Sequence, residues 1–215
     1  MKKSKSILLS APYILWMLLF TLIPLGVMVF YAFTDPDTGA FTLGNLRDLG
    51  LFLPTLGTSV WYSLVSAVIC LLLGYPVAYF IAHRSQVTQK ILYMLIMLPM
   101  CMSFLLRTLA WVGLLETNGI INVVLGKLGL GTVEAIGTSG AVILGMVYNY
   151  LPYMILPLYA IIVKIDNRLI EAAEDLGCNG VQVFGRVILP LSVPGILSGI
   201  TMVFVPAVST FYISQ

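Results

Sequence analysis

Five apolar stretches, near residues 7–33, 59–82, 91–115, 139–163 and 187–212, alternate with shorter polar segments along the chain. Each is long enough to cross a bilayer as a helix, which takes about 20 apolar residues. Pro24, Pro76, Pro99, Pro152, Pro157, Pro190, Pro194 and Pro206 fall within these stretches or at their edges. In water that would argue against helices. Inside a bundle, neighbouring helices and hydroxyl side chains satisfy the freed carbonyls, so kinked helices are predicted. The Gly-rich, mildly amphipathic segments 34–58 and 116–138 are expected to lie along one membrane surface, partly as short helices. No linker or internal repeat breaks the pattern, and residues 1–215 read as a single transmembrane domain: an all-α, polytopic membrane helix bundle.

Composition narrows the class further. Hydrophobic residues make up 60% of the chain and charged residues 9%, against roughly 25% charged in soluble domains. The net charge of +2 is too small and scattered to suggest a nucleic-acid partner. The basic residues mark sidedness instead. Lys2, Lys3, Lys5, Arg84, Lys90, Lys164, Arg168 and Arg186 fall in alternate polar segments. The opposite segments hold only Arg47 and Lys127, beside Asp35, Asp37, Asp48, Glu116 and Glu134. This asymmetry places the N-terminus and the loops 83–90 and 164–186 in the cytoplasm. The first apolar run, Ile7 to Phe33, exceeds the roughly 7–15 residues of a secretion-signal core, so a retained first span is expected.

Enzymatic chemistry finds little support. Cys70, Cys101 and Cys178 have neither metal-ligand nor disulfide-framework spacing, and His83 is the single histidine. No GxxxxGK[ST] run occurs, so ATP binding in the P-loop manner is not expected of this chain. No nucleophile–base set can be assembled; no catalytic residue, metal site or cofactor is expected.

The loop 164–186 carries the strongest local signals. Asp166 or Asn167 can cap a short helix, its side-chain oxygen accepting from a free backbone N–H. Leu169, Ala172, Ala173 and Leu176 recur at helical spacing, with Glu171, Glu174 and Asp175 at the other positions. Gly177 suits the left-handed conformation that ends a helix. Asn179 and Gln182 form a capping box for a second short helix, whose Val183, Phe184 and Val187 turn toward the fifth span. The alanines allow a docking helix close approach without loss of helix propensity, and Glu171 offers a charge to a basic partner.

Glu171-Ala172-Ala173, then Gly177, Phe184, Ile188 and Pro190, resembles the cytoplasmic EAA loop of permease subunits of type I ABC importers. Leu98-Pro99, Arg107-Thr108-Leu109-Ala110-Trp111 and Gly119-Ile120-Ile121-Asn122 are similar to the third segment and following loop of the spermidine/putrescine branch. Tyr148-Asn149-Tyr150-Leu151-Pro152-Tyr153 resembles its fourth segment. The resemblance implies the MetI-like permease fold in a bacterial inner membrane, with the N-terminus inside. It also implies a second permease subunit, a cytoplasmic ATPase dimer docked on the 164–186 loop, and an extracytoplasmic substrate-binding protein. Leu169, Glu171, Ala172, Ala173, Asp175, Gly177, Phe184 and Pro190 are the coupling residues it implies. Members usually carry two spans after this loop; one follows here, so a sixth is expected beyond residue 215. A permease for another small solute, and a membrane scaffold or sensor without transport, are the alternative readings.

A polycationic solute needs acceptors and aromatic faces along its path. Glu116, Tyr148, Asn149, Tyr150 and Tyr153 are the candidates. Arg107 is the basic residue well inside a span, an expensive position that marks a gate or helix anchor. Snorkelling to the outer end and pairing with Glu116 remain open for it.

Overall fold

The structure, a computed structural model, describes residues 12–35, 39–117, 119–127 and 136–213. Lys2, Lys3, Lys5, Asp37 and Glu134, which helped to orient the chain, lie outside them. Helices dominate the described residues, with one isolated bridge between Thr34 and Phe41. The chain divides into two compact units, Met1–Leu56 and Gly57–Gln215.

The first unit holds α1 (Pro12–Ala32), which contains a π turn at Leu18–Leu22. Its last carbonyls would be orphaned at the helix end. Asn45 Nδ2 donates to Tyr31 O at 3.0 Å and Thr34 O at 3.2 Å, closing that gap. The turn between them passes through Gly39 at φ +66°, a left-handed conformation that glycine adopts without steric cost. Helix α2 (Gly44–Ala82) begins here and runs on into the second unit. Residues 44–58, expected along the membrane surface partly as short helices, are therefore the first turns of α2. The helix runs on through Gly50, Pro54 and Gly57, although a helix interior costs glycine about 1 kcal/mol and proline about 3 kcal/mol.

In the second unit follow α3 (Gln86–Met97), a 3₁₀ turn (Leu98–Cys101), α4 (Phe104–Leu115), α5 (Ile120–Lys127) and α6 (Ser139–Ile162). Then come α7 (Asn167–Asp175) and α8 (Gly180–Val183), which passes through a π turn (Phe184–Ile188) into α9 (Leu189–Ile213). Among the described residues, five segments are long and apolar enough to cross a membrane: Pro12–Ala32, Phe52–Ala82, Leu105–Lys127, Ser139–Ile162 and Gly180–Ser209. The fourth matches its predicted limits. The third does not: the stretch 91–115 breaks at Pro99, where the ring removes a backbone donor and crowds the preceding turn. The fifth starts earlier than predicted, because α8 is continuous with it rather than a separate short helix.

The core is a fit of small residues to large ones. Helix α2 contributes Ser59, Ser63, Ser66, Ala67, Cys70, Gly74 and Ala78, a stripe of small side chains at helical spacing. Against it α6 presents Met146, Tyr150, Met154, Leu158 and Ile162, one residue every four. Helix α9 offers Gly195, Gly199, Val203 and Ala207 to α6. In lipid, apolar association gains little from leaving water, so such close approach supplies the packing attraction. The serines cost little: Ser63 Oγ donates to Ser59 O at 2.7 Å, and Ser66 Oγ meets Met146 Sδ at 3.5 Å.

Fully buried Met154 marks the tightest point. A Cβ at Gly199 would sit 2.6 Å from its Sδ, and one at Gly74 would sit 3.1 Å from its Cγ. At Gly195 the obstacles are stiffer, Ile161 Cβ and the Pro157 carbonyl, both at 3.2 Å. Gly195→Leu and Gly199→Leu should each destabilise the bundle by about 1–3 kcal/mol through overpacking. Thermal unfolding in detergent should show both melting well below the parent. Gly113→Ala, with nothing within 4 Å of the new methyl, should not.

Candidate functional site

Helix α7 is built from its caps inward. Asp166 stands before it, and its Oδ1 accepts from the Arg168 amide at 3.0 Å. At the other end Gly177 takes φ +83°; its amide donates to Glu174 O at 2.8 Å, and the Cys178 amide donates to Ala173 O at 3.0 Å. That pair of bonds is a Schellman closure, which calls for a residue at ease in the left-handed region. Two residues later Asn179 and Gln182 cap α8 reciprocally, both bonds at 2.9 Å. The predicted capping box and glycine stop are both present.

The apolar positions of α7 divide between two faces. Ala173 is buried, and with Ile165, Ile170 and Cys178 it packs on Val183, Ile188 and Tyr79. Leu169 and Ala172 are exposed, and Leu176 is 87% exposed. The predicted row of Leu169, Ala172, Ala173 and Leu176 thus splits. At about 100° per residue, adjacent Ala172 and Ala173 cannot share a face, and the bundle takes the one aligned with Ile170. Glu171 and Asp175 are exposed beside the outward row.

The hairpin of α7 and α8 is fastened to the spans. Val183 is buried, and the Phe184 ring meets Tyr75 and Tyr79 edge-on, with centroids 5.5 and 5.8 Å apart. Phe184 therefore faces α2, where the sequence reading turned it toward the fifth span. Ser192 Oγ donates to Leu189 O at 2.8 Å, which leaves Tyr75 O–H as donor in the 2.8 Å bond to Ser192 Oγ. Pro190 is exposed at the start of α9. A cavity of about 670 Å³ opens beside the hairpin, lined in part by His83, Arg84, Gln89, Lys164, Asp166 and Ile170. Gln89 stiffens its rim: Nε2 donates to Ala82 O and Arg84 O, while Tyr159 O–H donates to Oε1.

A second cavity, about 450 Å³, lies between α4 and the N-terminal half of α6. Thr108, Trp111, Val112, Met146, Asn149 and Tyr150 are among its walls. Of the predicted path residues, only Asn149 and Tyr150 line it. Tyr148 is 40% exposed and meets Trp111 edge-on at 5.1 Å. Tyr153 lies 6.2 Å from the Tyr150 ring, on the core side. Glu116 is exposed at the C-terminus of α4, its carbonyl accepting from Gly119 N at 2.7 Å and Asn122 Nδ2 at 3.1 Å. That turn gives Gly119 and Asn122 a structural reason: a Cβ at Gly119 would sit 2.5 Å from the Leu114 carbonyl. Thr108 and Trp111 were missed as wall residues; their spacing of three on one span was the available signal.

Two polar groups in the spans are unspent. Asn149 is 8% exposed and its Oδ1 has no hydrogen-bond partner among the described residues. Arg107, 7% exposed, has none at Nε or Nη1. Arg107 is thus folded inward rather than snorkelling, and no bond to Glu116 forms at those two atoms.

Comparison with known proteins turns up clear relatives. The family described as binding-protein-dependent transport system inner membrane component matches residues 72–214. The spermidine/putrescine transport system permease protein PotB of Haemophilus influenzae is 39% identical over 211 residues, covering 93% of this chain and 73% of that protein. PotB of Escherichia coli is 36% identical over 209 residues, 93% and 76% of the two chains. The inner membrane ABC transporter permease protein YdcU of Escherichia coli is 33% identical over 217 residues, 92% and 68%. Among solved structures, a bacterial ABC transporter involved in import of the acidic polysaccharide alginate superposes with a TM-score of 0.72 at 22% identity. That match covers 100% of this chain and 79% of the other.

A buried amide oxygen without a partner costs about 1–3 kcal/mol. Asn149→Leu should therefore raise the melting temperature in detergent; a fall would show that the amide is satisfied in the folded protein.

Proposed function

This chain belongs to the family of binding-protein-dependent transport system inner membrane components, and on that premise we propose that it carries polyamines inward as one half of an ATP-driven permease. It is a multi-pass inner-membrane transporter subunit of an ABC importer rather than an enzyme. The observation that carries the mechanical half of the proposal is the two-faced α7. Ile170 and Ala173 hold it to the bundle while Leu169, Ala172 and Leu176 stay uncovered beside Glu171 and Asp175. Such a helix suits the groove of a separate ATPase, with Ala172 allowing close approach.

Residues 1–215 act in this reading as one membrane domain with the N-terminus and α7 in the cytoplasm. ATPase closure pulls on α7; its contacts with Val183, Ile188 and Tyr79 and the Phe184 contacts with α2 pass the pull to α2 and α9. A second permease subunit completes the path, and an extracytoplasmic binding protein delivers the solute. Gly177 and the Pro190 start of α9 keep the hairpin's shape under that load. The polyamine assignment rests on the spermidine/putrescine relatives. Aromatic faces at Trp111, Tyr148, Tyr150 and Tyr153 and the amide of Asn149 suit methylene chains with ammonium groups. Glu116 would receive the cation at the mouth, and Arg107 would serve as gate or anchor. The inner-membrane relative YdcU keeps a permease for another small solute as the second reading.

Glu171→Lys and Gly177→Asp in the complete subunit should abolish radiolabelled polyamine uptake while leaving membrane insertion intact. Normal uptake by both would sink the coupling role. Competition among unlabelled solutes would then separate polyamines from other cargo. For orientation, a cysteine in place of Ser85 should resist a membrane-impermeant thiol reagent applied to intact spheroplasts, whereas one in place of Thr138 should react.

A further inference from the structure

The cavity of about 670 Å³ beside the hairpin opens where two spans end. Its walls include Ala82, the last residue of α2, and Ile162, the last of α6. The ends of apolar spans mark the headgroup depth of a bilayer. Just beyond them the walls turn basic: His83 and Arg84 follow α2, and Lys164 follows α6. Asp166 is the acid among the described walls, and its Oδ1 already accepts from the Arg168 amide at 3.0 Å. The basic positions are held in place. The Arg84 guanidinium lies 4.1 Å over the Phe80 ring. Gln89 Nε2 donates to Arg84 O at 2.8 Å, and Tyr159 O–H on α6 donates to Gln89 Oε1 at 3.1 Å. His83 Nδ1 donates to Tyr79 O at 2.9 Å, with the two rings 4.2 Å apart. Contacts from α2, α3 and α6 thus lower the ordering cost that a ligand would meet.

We propose that this cavity binds an anionic phosphate group, with Arg84 and Lys164 as its cations and His83 as a third polar contact. A guanidinium fork matches phosphate oxygens, and an ammonium adds a compact charge beside it. Helices α3 and α7 both begin on the cavity, at Gln86 and Asn167, so the positive ends of their dipoles add to the same field. The depth of the cavity favours the phosphate of an anionic phospholipid, and Phe80, 51% exposed beneath Arg84, offers apolar contact at the end of the span. Inorganic phosphate is the other source of the same chemistry. Ile170 of α7 also lines the cavity, so an occupied site joins the α2–α3 turn to the hairpin. The inference needs only that the chain lies in a membrane, and is independent of cargo and of ATPase coupling.

The complete subunit, purified in detergent, should be titrated separately with phosphatidylglycerol, phosphatidylcholine and inorganic phosphate while its melting temperature is followed. Phosphatidylglycerol should raise the melting temperature saturably, and phosphatidylcholine, whose ammonium cancels its phosphate, should not. Arg84→Gln combined with Lys164→Gln should move half-saturation to about tenfold more lipid or beyond. Arg84→Lys combined with Lys164→Arg keeps both charges and should keep the response, which separates a lost site from a damaged fold. Lys90→Gln combined with Arg186→Gln removes two exposed cations outside the cavity walls and should shift half-saturation by less than about twofold. A response to the lipid and none to inorganic phosphate assigns the site to a headgroup. A saturable response to inorganic phosphate that competes with the lipid upholds the site and assigns it to a soluble phosphate. Equal shifts in the two glutamine pairs would overturn the proposal. So would an equal response to oleate, whose head is a carboxylate, or no saturable response to either phosphate source. No ATPase or second permease enters the measurement, so its failure would leave the transport reading standing.

Discussion

Everything in the second unit depends on how closely α2, α6 and α9 approach one another around Met154. Glycines flank it from both sides, Gly74 on α2 and Gly199 on α9, at distances that leave no room for an added methyl without movement. A membrane bundle draws little net gain from burying apolar surface, since lipid is as apolar as leucine. Its cohesion comes from dispersion at short range, which falls away once backbones are held apart. Small residues on α2 and α9 and large ones on α6 meet that demand. Pro152 and Pro157 sit on α6 itself, where packed neighbours make their missing donors tolerable.

The same close packing gives the α7–α8 hairpin something rigid to rest on. A loop held by caps alone would bend under load. Here Ala173, Val183 and Ile188 form a small core of their own, and Phe184 wedges between two tyrosines of α2. The π turn at Phe184–Ile188 lies where the hairpin passes into α9. Such turns insert an extra residue into the helical register and recur at functional sites. In the coupling role proposed for α7, force would have two routes into the bundle, α2 and α9.

Polar groups in the spans follow two opposite logics. The serines of α2 and the Tyr75–Ser192 pair are satisfied locally and cost the fold little. Asn149 Oδ1 and Arg107 Nε and Nη1 have no partner among the described residues, although both residues lie on helices that border the cavity between α4 and α6. Stability alone would favour leucine at either position. Groups kept at such expense are where a membrane protein meets a ligand, a partner or a second conformation of itself.

The sequence by itself determined the membrane class, the number of spans, the caps of the hairpin and the family, because these rest on local signals. Apolar length, a glycine placed to end a helix, an Asn–Gln capping box and a run of EAA are all read within a few residues. Only the tertiary structure decided that Ala172 and Ala173 part company, that Phe184 faces α2, that α2 starts at Gly44 and that the third span breaks at Pro99. It alone separated Asn149 and Tyr150, which line the cavity, from Tyr148, Tyr153 and Glu116, which do not. Periodicity gives each helix its stripes, but which stripe is buried depends on neighbours distant in sequence.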